Sequence, residues 1–165
     1  MKKSILLLLT LVPVLVGYLI NLSAMLPVLG QLIYALLPLP TLVFWFWLGW
    51  QYAKTDWTAL QALLFGSATG WISLALYVWQ FWLCSDQTRN VTLAGLSQMY
   101  TAAAPGWLLG RLAVRFEPVP GEIGPVSLLA LQLLSLAFLI LVFAVGFASG
   151  RGRLRRQDDA PDTMK

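Results

Sequence analysis

Histidine is absent from this chain of 165 residues, and cysteine occurs once, as Cys84. Without imidazole there is no His-based metal site, no His-ligated haem and no Ser-His or Cys-His nucleophilic pair. A single thiol excludes an intrachain disulfide and any paired-cysteine redox motif. No glycine-rich loop follows a strand, so phosphate-cradling nucleotide folds are not expected. The seven acidic residues are Asp56, Asp86, Glu117, Glu122 and three near the carboxyl terminus. None falls within a long apolar block, which argues against a proton relay of buried carboxylates. These absences predict a protein that is not an enzyme and carries no cofactor or metal.

Charge is the other scarcity. Charged residues are 11% of the chain and apolar residues 59%, against about 25% and roughly 45–50% in ordinary globular domains. They are also segregated: residues 4–53, 57–85, 90–110 and 123–150 contain none. A soluble domain needs polar groups over its surface, whereas a bilayer core needs about 20 apolar residues per helical span. The pattern predicts an all-α membrane protein whose first partner is the lipid bilayer. The net charge of +4 does not indicate nucleic acid. Four of the eleven basic residues, Arg151, Arg153, Arg155 and Arg156, follow directly after the last apolar block. That is the place of cytoplasmic flanking charge, not of a basic patch on a soluble face.

Four spans are expected, at about 4–21, 28–53, 58–84 and 123–149, in one domain over 1–150. A basic-then-acidic cytoplasmic tail over 151–165 completes the chain. The first block holds twelve Leu, Ile or Val residues, worth about 4–7 kcal/mol toward insertion. A cleaved signal peptide is the alternative there, since Lys2 and Lys3 precede the run, but Leu22-Ser23-Ala24 is a poor cleavage site. In the second block Pro38 and Pro40 remove backbone donors and predict a kinked span. Its aromatic end, Phe44 to Tyr52, is expected to form an interfacial belt beside Lys54. The tryptophans around the third span and the thiol of Cys84 are read as structural.

Residues 92–115 are ambiguous. At about 100° per residue, Leu96, Met99, Tyr100, Ala103, Trp107 and Val114 share one face. Ser97, Gln98, Thr101, Arg111 and Arg115 lie opposite, with Pro105 between. Such a helix lies in the interface, re-enters the membrane, or crosses as a fifth span with its polar side against protein. If it does not cross, Lys2, Lys3, Lys54, the four tail arginines and Lys165 sit on one side. Only Arg89, Arg111 and Arg115 then remain on the other. If it crosses, the split becomes five against six. The positive-inside rule favours the first arrangement, with both termini cytoplasmic.

Two sets of residues are candidates for function. The third block carries a small-residue stripe through Ala62, Gly66, Thr69 and Ser73, with Gly70 forming a Gly-x-x-x-Gly pair with Gly66. Gly106 with Gly110 and Gly146 with Gly150 repeat that spacing. Small residues let helix backbones approach, within the chain or against a second membrane protein or another copy. The second set is uncharged and polar: Gln31, Tyr34, Ser73, Tyr77, Gln80, Gln98 and Thr101 suit the lining of a pocket for a neutral molecule. The loop of Glu117 and Glu122, with Asp86, Arg89, Arg111 and Arg115, is either a cation or ligand mouth or simply solvated ion pairs.

The blocks FWFWLGWQYAK (44–54), LYVWQFWLCSD (76–86) and LAGLSQMY (93–100) resemble stretches of small polytopic bacterial inner-membrane proteins that carry no assigned activity. The resemblance implies an inner-membrane location and brings no functional residues. The leading expectation is therefore an accessory or interaction subunit acting through helix packing. The alternative is a transporter-type component binding a small neutral molecule. A filled core with an open small-residue face would favour the first, and a polar-lined cavity the second.

Overall fold

The computed structural model describes residues 2–119 and 122–158, and among them there is helix and no strand. Residues 159–165, at the end of the tail, lie outside the described residues. Nine α-helices follow in order: α1 (Lys3–Leu9), α2 (Val12–Ser23), α3 (Pro27–Leu36), α4 (Pro38–Ala53), α5 (Ala59–Gly66), α6 (Ala68–Val78), α7 (Val91–Ala102), α8 (Gly106–Ala113) and α9 (Pro125–Asp158). A π-helical turn, Trp79–Leu83, extends α6, and a 3-10 turn, Val114–Phe116, follows α8. Three segments are long and apolar enough to cross a membrane: Lys3–Ser23, Pro27–Ala53 and Pro125–Gln157. The bent pair α5 and α6 makes a fourth if it counts as one span.

Local chemistry accounts for the breaks. Pro13 lies in the first turn of α2, and the chain interrupts at Thr10, whose carbonyl accepts a hydrogen bond from the Thr69 hydroxyl of α6 at 2.8 Å. Pro38 sits in the first turn of α4, where the missing amide costs nothing, and Leu37 joins α3 to α4. Thr58 begins α5 with a capping box closed by Gln61. The third block is not one straight helix as expected: α5 and α6 meet at 54° across Ser67, which is fully buried.

The two ends of the bundle are defined by contacts. At one end Lys3 pairs with Asp56 at 2.7 Å, and Arg151 donates to the carbonyls of Thr55 and Trp57 at 3.1 and 2.7 Å. At the other, the Asn90 amide donates to Gln80 at 2.8 Å, and the Ser127 amide donates to Glu117 at 2.7 Å. Gln80 lies at the far end of α6 and Ser127 at the start of α9, so the chain from 84 to 124 leaves and returns at the same end. Its helices α7 and α8 form a hairpin with its tip at Ala103–Pro105. The tip reaches well into the bundle, where Tyr100 meets Trp45 edge-on at 6.3 Å. The single helical wheel expected for 92–115 fails: Pro105 separates α7 from α8, and within α7 itself the side that carries Ser97 and Thr101 turns inward. Tyr100 and Ala103 are buried together with Ser97 and Thr101, while Leu96 and Trp107 are exposed.

The core gathers around Phe143 of α9, with Trp45, Leu48, Tyr52, Tyr100 and Leu139. The aromatic run 44–52 thus divides between the core and the surface and cannot serve as a belt throughout. Trp45 and Tyr52 are wholly buried against Phe143, at 6.0 and 5.1 Å between ring centroids, whereas Trp47 faces outward. α9 runs past the expected end at 149 and stays helical through the arginines, a length of about 51 Å. A bilayer core needs only roughly 30 Å of helix, so α9 is longer than one span requires.

Candidate functional site

The small residues settle between helices of the chain itself. A Cβ on Gly49 would overlap the Phe143 carbonyl, and one on Gly146 the Phe46 carbonyl, so α4 and α9 touch backbone to backbone. Gly150 meets Trp50 and Ala53, Gly66 meets the ring of Phe143, and Gly70 meets Leu136 and Tyr100. Ala62 is fully buried, and Ser73 donates to the carbonyl of Ser97 on α7. Gly106 faces the phenol of Tyr34. Gly110 departs from the expectation, since nothing lies within 4 Å of its missing Cβ and no close approach occurs there. The half-buried Leu63 packs against the core.

A buried polar network links three helices. Thr101 donates to Gln132 of α9, and the Gln132 amide donates to the Ser97 carbonyl at 3.4 Å. With Ser73 this fastens α7 between α6 and α9 through groups that would be costly to bury unpaired.

Beside this network lie two adjoining cavities. One, of about 170 Å³, is lined by Tyr34, Tyr77, Gln98, Thr101 and Gln132, with Gly106, Leu128 and Leu131 on its apolar side. The other, about 520 Å³, lies between α2, α3 and the hairpin, with Asn21, Gln31 and Tyr34 beside Ile20, Leu26 and Pro27. Asn21, Tyr34 and Ala102 border both. No charged residue lines either. Asn21 donates only to the thioether of Met99, at 3.1 Å, and a thioether is a weak acceptor. The polar ends of Gln31, Tyr34, Tyr77 and Gln98 have no hydrogen-bond partner among the described residues. Small-molecule sites combine such apolar walls with a few convergent polar groups, typically in about 300–1,000 Å³.

Gln80, expected in the lining, stands apart. It is buried, and its side chain holds the Asn90 amide while its carbonyl takes the Arg89 guanidinium at 3.0 Å. It anchors the entry to α7. Asn21 and Gln132 were missed. Asn21 ends the expected first span, and a carboxamide in the last turn of an apolar helix needs a partner. Gln132 offered a clearer signal, as the one carboxamide within the apolar part of α9.

The loop that carries Glu117 makes structural contacts where it is described. Glu117 accepts the Ser127 amide at the start of α9, where a carboxylate complements the helix dipole. Gly124 leaves room for that carboxylate. Asp86 pairs with Arg89 at 2.8 Å. No cluster of three metal-ligating side chains occurs among the described residues. Pro120 and Gly121 lie outside them.

Comparison with known proteins found no matching family model, no matching curated sequence and no matching solved structure.

Proposed function

We propose that this chain is a multi-pass membrane protein that binds a small, neutral, amphipathic molecule in the cleft between α2, α3 and the α7–α8 hairpin. The carrying observation is a set of uncharged polar groups, Gln31, Tyr34 and Gln98 without a hydrogen-bond partner among the described residues and Asn21 held only by a thioether, on two adjoining apolar-walled cavities with no charge in their lining. A charged ligand would be left without a counterion there, whereas a hydroxyl, amide or carbonyl finds both donors and acceptors. In this reading four segments cross the membrane, the hairpin re-enters from the outer side, and the Lys3, Thr55 and Arg151 end is cytoplasmic.

The accessory-subunit reading ranks second. It needs a small-residue face open to a partner, and the nominated glycines other than Gly110 are taken up inside the chain. Purification in mild detergent followed by mass spectrometry of extracted small molecules separates the two. A neutral species near one per chain is expected. A stoichiometric protein partner without any small molecule would restore the accessory reading.

A further inference from the structure

The opposite end of the bundle carries a second site. We propose that Trp50, Lys54, Arg153 and Gln157 bind the phosphate headgroup of an anionic phospholipid. These residues line a cleft of about 310 Å³ between the end of α4 and the last turns of α9, with Gly150 and Leu154 forming its floor. Gly150 has no side chain, so Trp50 closes directly onto α9. Its indole then holds two cations, the Lys54 ammonium at 5.7 Å and the Arg153 guanidinium at 5.5 Å from the ring centroid. The aromatic ring stabilises each cation but cancels no charge.

Like charges brought together around one ring call for an anion, and neither ion pair among the described residues supplies it. Asp56 is committed to Lys3 and Asp86 to Arg89, while Glu117 lies at the far end on the Ser127 amide. A guanidinium beside an ammonium suits a phosphate, with fork and point-charge contacts together. The neighbouring cleft on the other side of Leu154 also has two arginines, Arg151 and Arg155. There, however, Arg151 is already spent on the Thr55 and Trp57 carbonyls.

The wall beneath the site identifies the source of the phosphate. One and two turns below Trp50 on the same side of α4, Trp47 and Val43 are exposed, at 38% and 70%. A free phosphate has no use for that strip, whereas a phospholipid lays its acyl chains along it while its headgroup sits between Lys54 and Arg153. Anionic headgroups attract such residues by about 1 kcal/mol per basic group, or roughly fivefold in affinity.

The test uses the full chain in neutral detergent, with phosphatidylglycerol, phosphatidylcholine or inorganic phosphate added, read by native mass spectrometry and thermal melting. Wild type should retain phosphatidylglycerol adducts and melt higher with that lipid alone. Arg153→Gln and Lys54→Gln should each lower retention roughly fivefold, while Arg111→Gln, at the other end, should match wild type. All four proteins are compared at their own melting points without lipid, so a folding defect is visible separately. Equal retention of the two lipids, equal retention by Arg153→Gln, or the same stabilisation by inorganic phosphate would overturn the proposal. The site rests on the membrane reading. Recovery of the chain in solution without detergent would overturn both, whereas a detergent-requiring chain indifferent to lipid charge would overturn the site alone.

Discussion

Gly146 of α9 lies directly against the main chain of Phe46 of α4, so that an added Cβ would stand 2.9 Å from the carbonyl carbon and closer still to its oxygen. The reciprocal contact, Gly49 on the carbonyl of Phe143, makes this the tightest kind of helix crossing, in which neither backbone has side chains to retract.

Gly146→Leu should therefore cost about 1–3 kcal/mol or more from overpacking. Leu64→Ala should cost well under that, since Leu64 is half exposed on the outer side of α5 and lipid refills the gap. Thermal melting in one detergent compares them directly. Equal tolerance of both would mean that α4 and α9 do not meet as described.

Gln132→Leu probes the buried network. It leaves the Thr101 hydroxyl without its acceptor and removes a donor to the Ser97 carbonyl. An orphaned buried group costs about 1–3 kcal/mol. The loss should appear first as faster hydrogen exchange in α7, with α4 unchanged. Uniform exchange across the chain would show that α7 is not held separately.

The Lys3–Asp56 pair makes a pH prediction. A hydrogen bond from the Lys3 side chain, foremost, holds the exposed Asp56 carboxyl below its ordinary value of 3.8. A depressed acid stabilises the fold above its unfolded pKa and loses that contribution as pH falls through the folded one. The melting-temperature gap between wild type and Asp56→Asn should thus be constant from neutral pH down to about 5 and close below 3.8. A gap unchanged into strong acid would mean that the ion pair contributes nothing.

Topology is directly measurable. Reporter fusions at Lys165 and after Gln51 should both read as cytoplasmic, and one at Pro120 as external. A cytoplasmic Pro120 with an external carboxyl terminus would mean that 91–116 crosses the membrane.

Much of this architecture was legible because charge and hydropathy mark span ends bluntly. Lys54 and Asp56 close one block and Asp86 another, and the helices stop close to those positions. The Ser67 bend was not legible, since no proline or charge announces it. Nor was the helical course of Arg151–Asp158, where charged residues suggested a tail although arginine and leucine sustain helix well. For the cleft, Tyr34, Tyr77, Gln98 and Thr101 stood out as uncharged polar groups in apolar helices, and the structure sets them around one cavity. The dependence of Thr101 on Gln132 could not be read from spacing, because 31 residues and a hairpin separate the two.

The central claim is occupancy of that cleft, and the most direct measurement compares two proteins. Ala102 borders both cavities, so Ala102→Phe fills their junction without removing a polar group. Small molecules extracted from purified wild type and Ala102→Phe are quantified per chain, with Leu64→Phe on the outer surface as a control. The account predicts one neutral, amphipathic species near stoichiometry in wild type and Leu64→Phe, and at least tenfold less in Ala102→Phe (about 1.4 kcal/mol). No such species in wild type, or equal amounts in all three, would contradict it.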